Sequence, residues 1–114
     1  MHHKVYPAAR RRIIEIWHYT AKTWGEKQAD NYVRGLYKAI DEAAKKKYLW
    51  RKIEHEELKG IYFVRYEHHY VFFRELTKEV LGVVNVLHES MDTGADVMNV
   101  ESAPDLTVNL NSEN

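Results

Sequence analysis

Apolar residues recur at three- and four-residue spacing early in the chain, at Ile13, Ile16, Trp17, Ala21 and Trp24, with Arg10, Arg11, Arg12, Glu15 and Lys22 on other faces. This is the pattern of a helix with one buried stripe. Pro7 suits a first helical turn, so the helix is expected to begin there, after a short segment ending in Val5 and Tyr6 that reads as an edge strand. Gly25 supplies a left-handed stop. A second stripe, Ala29, Tyr32, Val33, Leu36, Ala39, Ile40 and Ala43, predicts a second helix, and Lys45, Lys46 and Lys47 close it near the negative pole of its dipole. A turn this short makes the two helices a hairpin. The spacing places Trp17, Trp24 and Tyr32 in the core.

Between residues 48 and 59 the periodicity is lost, and an irregular connection with room for a short strand is expected. After Gly60 the composition becomes β-branched and aromatic. Three strands are predicted at 61–66, 70–76 and 80–88, separated by Glu67-His68-His69 and Thr77-Lys78-Glu79. The expected fold is therefore α+β: an N-terminal strand, a two-helix hairpin, then a three-stranded antiparallel sheet. Each strand carries apolar residues on both alternating faces. One face should cover the helices and the other a partner or the chain's own tail. Beyond Met91 no helical stripe follows, although Leu106, Val108 and Leu110 alternate with polar residues. Residues 1–98 are read as the folded domain and 99–114 as an acidic tail, either flexible or an edge strand.

The chain has 114 residues, 45% of them hydrophobic and 12% aromatic, which is enough apolar area for one packed domain despite 30% charged residues. The lack of cysteine excludes disulfides, thiolate catalysis and thiolate metal sites. No apolar run approaches the roughly 18 residues of a membrane span, and no signal-like stretch opens the chain, so a cytoplasmic protein without membrane contact is expected. The net charge of zero conceals an asymmetry: 17 basic and 11 acidic residues up to His88 give +6, and six acids after it give −6. A basic body favours an acidic partner or a polyanion, and is also common in ordinary domains.

Seven histidines raise the question of metal, but there is no HExxH and no Cys/His cluster, and the five glycines stand apart rather than forming a phosphate loop. Neither a cofactor nor a metal is expected. Arg65, Arg74 and His88 fall one on each predicted strand. Gathered on one face, two arginines would hold a phosphate and a histidine would move a proton. The competing reading makes them ordinary strand residues paired with Glu67, Glu75 or Glu89, with His88 capping the last strand.

Three stretches together resemble a known family: Ile16-Trp17-x-Tyr19-Thr20-x(3)-Trp24-Gly25-x(2)-Gln28-Ala29-x(2)-Tyr32, His69-Tyr70-Val71-Phe72-Phe73-Arg74, and Val86-Leu87-His88-x-Ser90-Met91-Asp92. They are similar to the RelE/ParE superfamily of toxins from type II toxin–antitoxin pairs, on its ParE side, over about residues 3 to 97. The resemblance implies a toxin that inhibits DNA gyrase by stabilising its cleaved-DNA complex, forms a hetero-oligomer with a cognate antitoxin, and performs no bond chemistry itself. Under it, Arg65, Arg74, His88, Ser90 and Met91 form the target-binding surface, and no direct, specific nucleic-acid binding is expected. The alternative branch is a RelE-like ribosome-dependent mRNA endonuclease with Arg65, Arg74 and His88 as its catalytic set. Against that branch, the strand 83–87 lacks an arginine, and Glu89-Ser90 stands where such a nuclease would present a tyrosine. A third possibility is an interaction module that kept the fold and lost toxicity. The chain departs from the family pattern in its acidic extension, which is expected to fold back on the basic body.

Overall fold

The computed structural model describes residues 2–53, 55–77 and 80–91. Its elements run β1 His2–Val5, α1 Pro7–Trp24, α2 Glu26–Lys45, β2 Arg51–Lys52, β3 Tyr62–Tyr66, β4 His69–Thr77 and β5 Val80–His88. The sheet order is β1-β5-β4-β3-β2. All neighbours are antiparallel except β1, which lies parallel to β5 with Val5 opposite Val83. The sheet therefore has five strands, two more than the predicted meander, because the N-terminal segment and Arg51–Lys52 add one to each side.

Pro7 opens α1 and Gly25 closes it at φ +97°, where a residue with a Cβ would be strained. The hairpin packs through Ala9 and Ile13 of α1 and Leu36, Ile40, Ala43 and Ala44 of α2 onto Val64, Val71, Phe73, Leu81, Val83 and Val86. Of the predicted stripe of α2, Ala29, Leu36, Ile40 and Ala43 are buried, while Tyr32, Val33 and Ala39 are only partly so. That of α1 is displaced: Ala9, Ile13 and Thr20 are buried, Ile16 only partly, and Trp24 is 73% exposed. Trp17 is half-buried, its indole N–H donating to Asp30 Oδ1 at 2.8 Å across the hairpin.

The opposite sheet face was expected to need a partner or the tail. Much of its cover comes instead from the connection that showed no periodicity: Leu58 and Ile61, with Tyr6, pack on Phe72, Val84 and Leu87. Trp50 belongs to the helix side, donating to the Ala43 carbonyl at 2.7 Å with its ring against Phe73.

Two register shifts shape β5. Phe72 faces Asn85 while Phe73 faces Val83, so Val84 is a bulge, and Leu76 is the extra residue between Glu75 and Thr77. Covered on both faces, residues 81–87 are all buried, including Asn85, whose Oδ1 accepts from the Val86 N–H at 2.9 Å. The division proposed at residue 98 and the possible strand at 106–110 lie outside the described residues.

Candidate functional site: an aromatic cleft at the end of the sheet

The β3–β4 turn, residues 67–68, brings the ends of three strands up to the helix hairpin. Glu67 takes φ +51°, an uncommon conformation for a residue with a side chain. Its carbonyl accepts from Arg65 Nε at 2.8 Å, which ties the turn to β3. The chain leaving β5 is tied to the same turn, because the Glu89 N–H donates to the His68 carbonyl at 2.9 Å. The Glu89 carboxylate then bridges Arg65 Nη2 at 2.6 Å and His68 Nδ1 at 2.7 Å. The His68 hydrogen bond, followed by the nearby Arg65 charge, holds the Glu89 carboxyl below its ordinary range.

On the helix side of the sheet, His69 and His88 face one another in register, their rings 5.1 Å apart and edge-on. His88 Nδ1 receives the Ser90 backbone N–H at 3.1 Å and lies 2.8 Å from Ser90 Oγ, so this nitrogen acts as an acceptor. His69 Nδ1 lies 2.7 Å from the Tyr32 hydroxyl of α2. The Tyr32 oxygen also accepts from the His68 backbone N–H at 3.4 Å. Burial above all, with the neighbouring His88 and His68 next, pushes the His69 pKa down to about 4. Burial likewise raises the Tyr32 phenol, which keeps its donor proton.

Tyr66 completes this wall, edge-on to Tyr32 at 5.1 Å, with its ring lying over Gly35. The space between the wall and the hairpin is an open cleft of about 1050 Å³, and Ile16, Tyr19, Trp24, Val86 and Met91 supply the rest of its apolar lining. Tyr19 and Trp24 stand 71% and 73% exposed. Arg12, Glu15, Glu67 and the three histidines supply the charged and titratable positions. Such a mixture of open aromatic surface and a polar margin is suited to docking a partner.

The five residues expected to form the target surface divide. His88, Ser90 and Met91 lie together at the cleft end of β5, Met91 lining the cleft itself. Arg65 is close by along the sheet but alternates with Val64 onto the other face, where its guanidinium stands over Tyr70. Arg74 pairs with Gly82, four residues along β4 from the Tyr70 that faces Arg65, a separation of about 13 Å. Arg65, Arg74 and His88 are thus not gathered, and the single phosphate-holding constellation foreseen for them does not form.

Reading Trp24 and Tyr32 as core residues was also mistaken, since both line the cleft, and His68 and His69 do more than make a turn. A burial stripe and a cleft lining have the same helical spacing. The available signal was position: Trp24 stands one residue before the glycine that ends α1, where little remains above it to bury it.

The chain matches the ParE toxin family, the toxin of the parDE type II toxin–antitoxin system, over residues 4–93. Toxin ParE1 of Mycobacterium tuberculosis, in strains CDC 1551 / Oshkosh and ATCC 25618 / H37Rv, is 37% identical over 86 residues, which cover 75% of this chain and 87% of that toxin. Among solved structures, a chain of the chromosomal ParDE system from P. aeruginosa superposes with a TM-score of 0.66 at 14% identity, covering 77% of this chain and 95% of that one, and so shares the fold.

Proposed function

This chain belongs to the ParE toxin family of type II toxin–antitoxin systems, and from that premise we propose that it inhibits DNA gyrase by stabilising the cleaved-DNA complex and is neutralised by a cognate antitoxin. The observation that carries the reading is the aromatic cleft at the end of the sheet, an apolar surface with Tyr19 and Trp24 largely in water. Open aromatic surface of this kind gains most from a protein segment that buries it, and an antitoxin segment that orders on binding is such a partner. His88, Ser90 and Met91 form the target-binding edge, with Arg65 and Arg74 as charged contacts further along the sheet.

The separation of Arg65, Arg74 and His88 weighs against the ribonuclease reading, which needs them around one phosphate. The deciding experiment is pulse-labelling of DNA and protein synthesis in bacteria expressing the chain alone, followed by a cleavage-complex assay with purified gyrase. Early loss of DNA synthesis and drug-like accumulation of cleaved DNA are expected. Early loss of translation would move the assignment to the ribonuclease, and loss of neither would leave a non-toxic interaction module.

A further inference from the structure

We infer that residues 45–52 form a docking surface for single-stranded nucleic acid, at the far end of α2 from the aromatic cleft. The segment Lys45-Lys46-Lys47-Tyr48-Leu49-Trp50-Arg51-Lys52 carries five basic residues and no acid, and all of it except Trp50 is exposed. Tyr48 stands 80% in water and Leu49 41%.

One 3-10 turn, Lys47–Leu49, carries the chain from α2 to β2, the last strand of the sheet. Trp50 anchors this turn, its ring 5.3 Å from that of Tyr62 and 5.5 Å from Lys47 Nζ. Lys52 lies opposite Tyr62 in register and so shares the helix-side face. Two of the charges are engaged, Lys46 with Glu42 at 2.8 Å and Lys47 with Glu75 at 3.0 Å, in surface pairs that a phosphate replaces at little cost. For Lys45, Arg51 and Lys52 no ion pair is seen among the described residues, although Arg51 stands over Phe63 on the other sheet face. Glu56 and Glu57 follow in the turn to Leu58, which packs on that other face.

Two ordinary reasons account for the charges separately. Lysines at 45–47 suit the negative pole of α2, and Arg51 and Lys52 guard an edge strand against unwanted pairing. Neither accounts for a tyrosine ring left in water between them. An aromatic ring set among cations is what an unpaired base stacks on while its phosphates follow the positive charge, a combination that carries no sequence preference. An acidic peptide fits less well, because β2 offers two residues of edge, too few for a peptide to add as a strand.

The surface lies outside the cleft, and its test needs neither gyrase nor antitoxin. Fluorescence anisotropy of a labelled oligothymidylate is measured against the purified full chain. Binding is expected to weaken about 20- to 100-fold between roughly 50 and 200 mM salt, as for three to five phosphate contacts. Tyr48→Ala should weaken it about tenfold at an unchanged salt dependence. Lys45→Gln with Lys52→Gln should weaken it about tenfold and flatten the salt dependence. The control pair Lys22→Gln with Lys27→Gln, exposed at the other end of the hairpin, removes the same charge and should change it less than about twofold. All these side chains are exposed, and the melting temperature of each variant checks that it is folded. Equal losses in the two charge pairs, or no effect of Tyr48→Ala, would overturn the proposal in favour of the general charge of the body. Equal affinity for a duplex would remove the stacked base, and tighter binding of polyglutamate would replace the nucleic acid with an acidic protein.

Discussion

The Tyr32 hydroxyl and His69 Nδ1, 2.7 Å apart, join the first half of α2 to the first residue of β4. Burial of the His69 ring, with the neighbouring His88 and His68 next, favours the neutral imidazole. His69 has a folded pKa of about 4 against 6.5 for an ordinary histidine, so the unfolded chain binds the extra proton between those values. Stability is therefore complete above about pH 6.5, declines as the pH falls, and levels off below about 4. The ring remains partly open to solvent, so the loss is discounted to on the order of 1–2 kcal/mol. Urea midpoints between pH 7.5 and 5 should fall for the native chain and change less for His69→Gln. The window above pH 5 excludes Glu89 and Glu42, whose depressed carboxyl pKa values cost stability only at lower pH.

Tyr32→Phe removes the oxygen that accepts from the His68 N–H and is hydrogen-bonded to His69 Nδ1. A loss of about 1 kcal/mol is expected, as for one or two partly buried neutral hydrogen bonds. The His69 titration should also move up towards its ordinary value if the tyrosine is the donor in this bond, since such a donor favours the neutral ring. Histidine resonances followed against pH would check this, and an unmoved His69 midpoint would mean that burial alone sets it.

Gly35 stands mid-helix, where alanine normally gains about 1 kcal/mol over glycine. Here a Cβ would lie 2.8 Å from Tyr66 Cζ and closer still to its hydroxyl. Gly35→Ala is therefore expected to destabilise by about 1 kcal/mol, as Tyr66 is pushed from its place beside Tyr32. The sign should reverse in a Tyr66→Ala background, where only the helix propensity remains. A double-mutant cycle on thermal unfolding measures both, and an unchanged sign would show that Tyr66 yields freely.

Much of this architecture was legible from spacing, and the exceptions have physical causes. Pro7, Gly25 and the α2 stripe act through local geometry, which sequence displays directly. The cleft depends on pairings that sequence does not display. His69 meets His88 only because a two-residue turn and the Val84 bulge set the register, and the same register carries Arg74 to the far end of β4. One residue of slip would have changed every face. The parallel pairing of β1 with β5 brings together segments some 80 residues apart, which no local pattern encodes. Leu58 and Ile61, which cover the second sheet face, sit in 3-10 and turn structure that has no period to detect.

Arg65 and Glu89 form a short ion pair at the surface, shared with His68. Exposure limits its value, so Glu89→Gln should lower stability by less than about 1 kcal/mol. Function separates the alternatives for Arg65. If it is a charged contact to gyrase, Arg65→Ala should reduce cleaved-DNA accumulation well beyond what its small stability change explains. Parallel measurement of the melting temperature and the cleavage assay decides this, and equal loss in both would reduce Arg65 to a fastener of the turn.

Trp24 offers the cleanest division between folding and binding. It is 73% exposed, no hydrogen bond of its indole is seen among the described residues, and it follows the last buried position of α1. Truncation of such a side chain normally changes stability by less than about 0.5 kcal/mol. In a docked partner's interface the same ring would be fully desolvated, and exposed aromatics of this kind supply about 2 kcal/mol or more when buried at an interface. Trp24→Ala should therefore leave the unfolding midpoint nearly unchanged while weakening antitoxin binding by about 30-fold, the equivalent of 2 kcal/mol. Calorimetric titration with the antitoxin, alongside thermal unfolding of the toxin alone, tests both halves. Unchanged affinity would remove the cleft from the antitoxin interface, and a large fall in melting temperature would return Trp24 to the core, where its helical spacing first placed it.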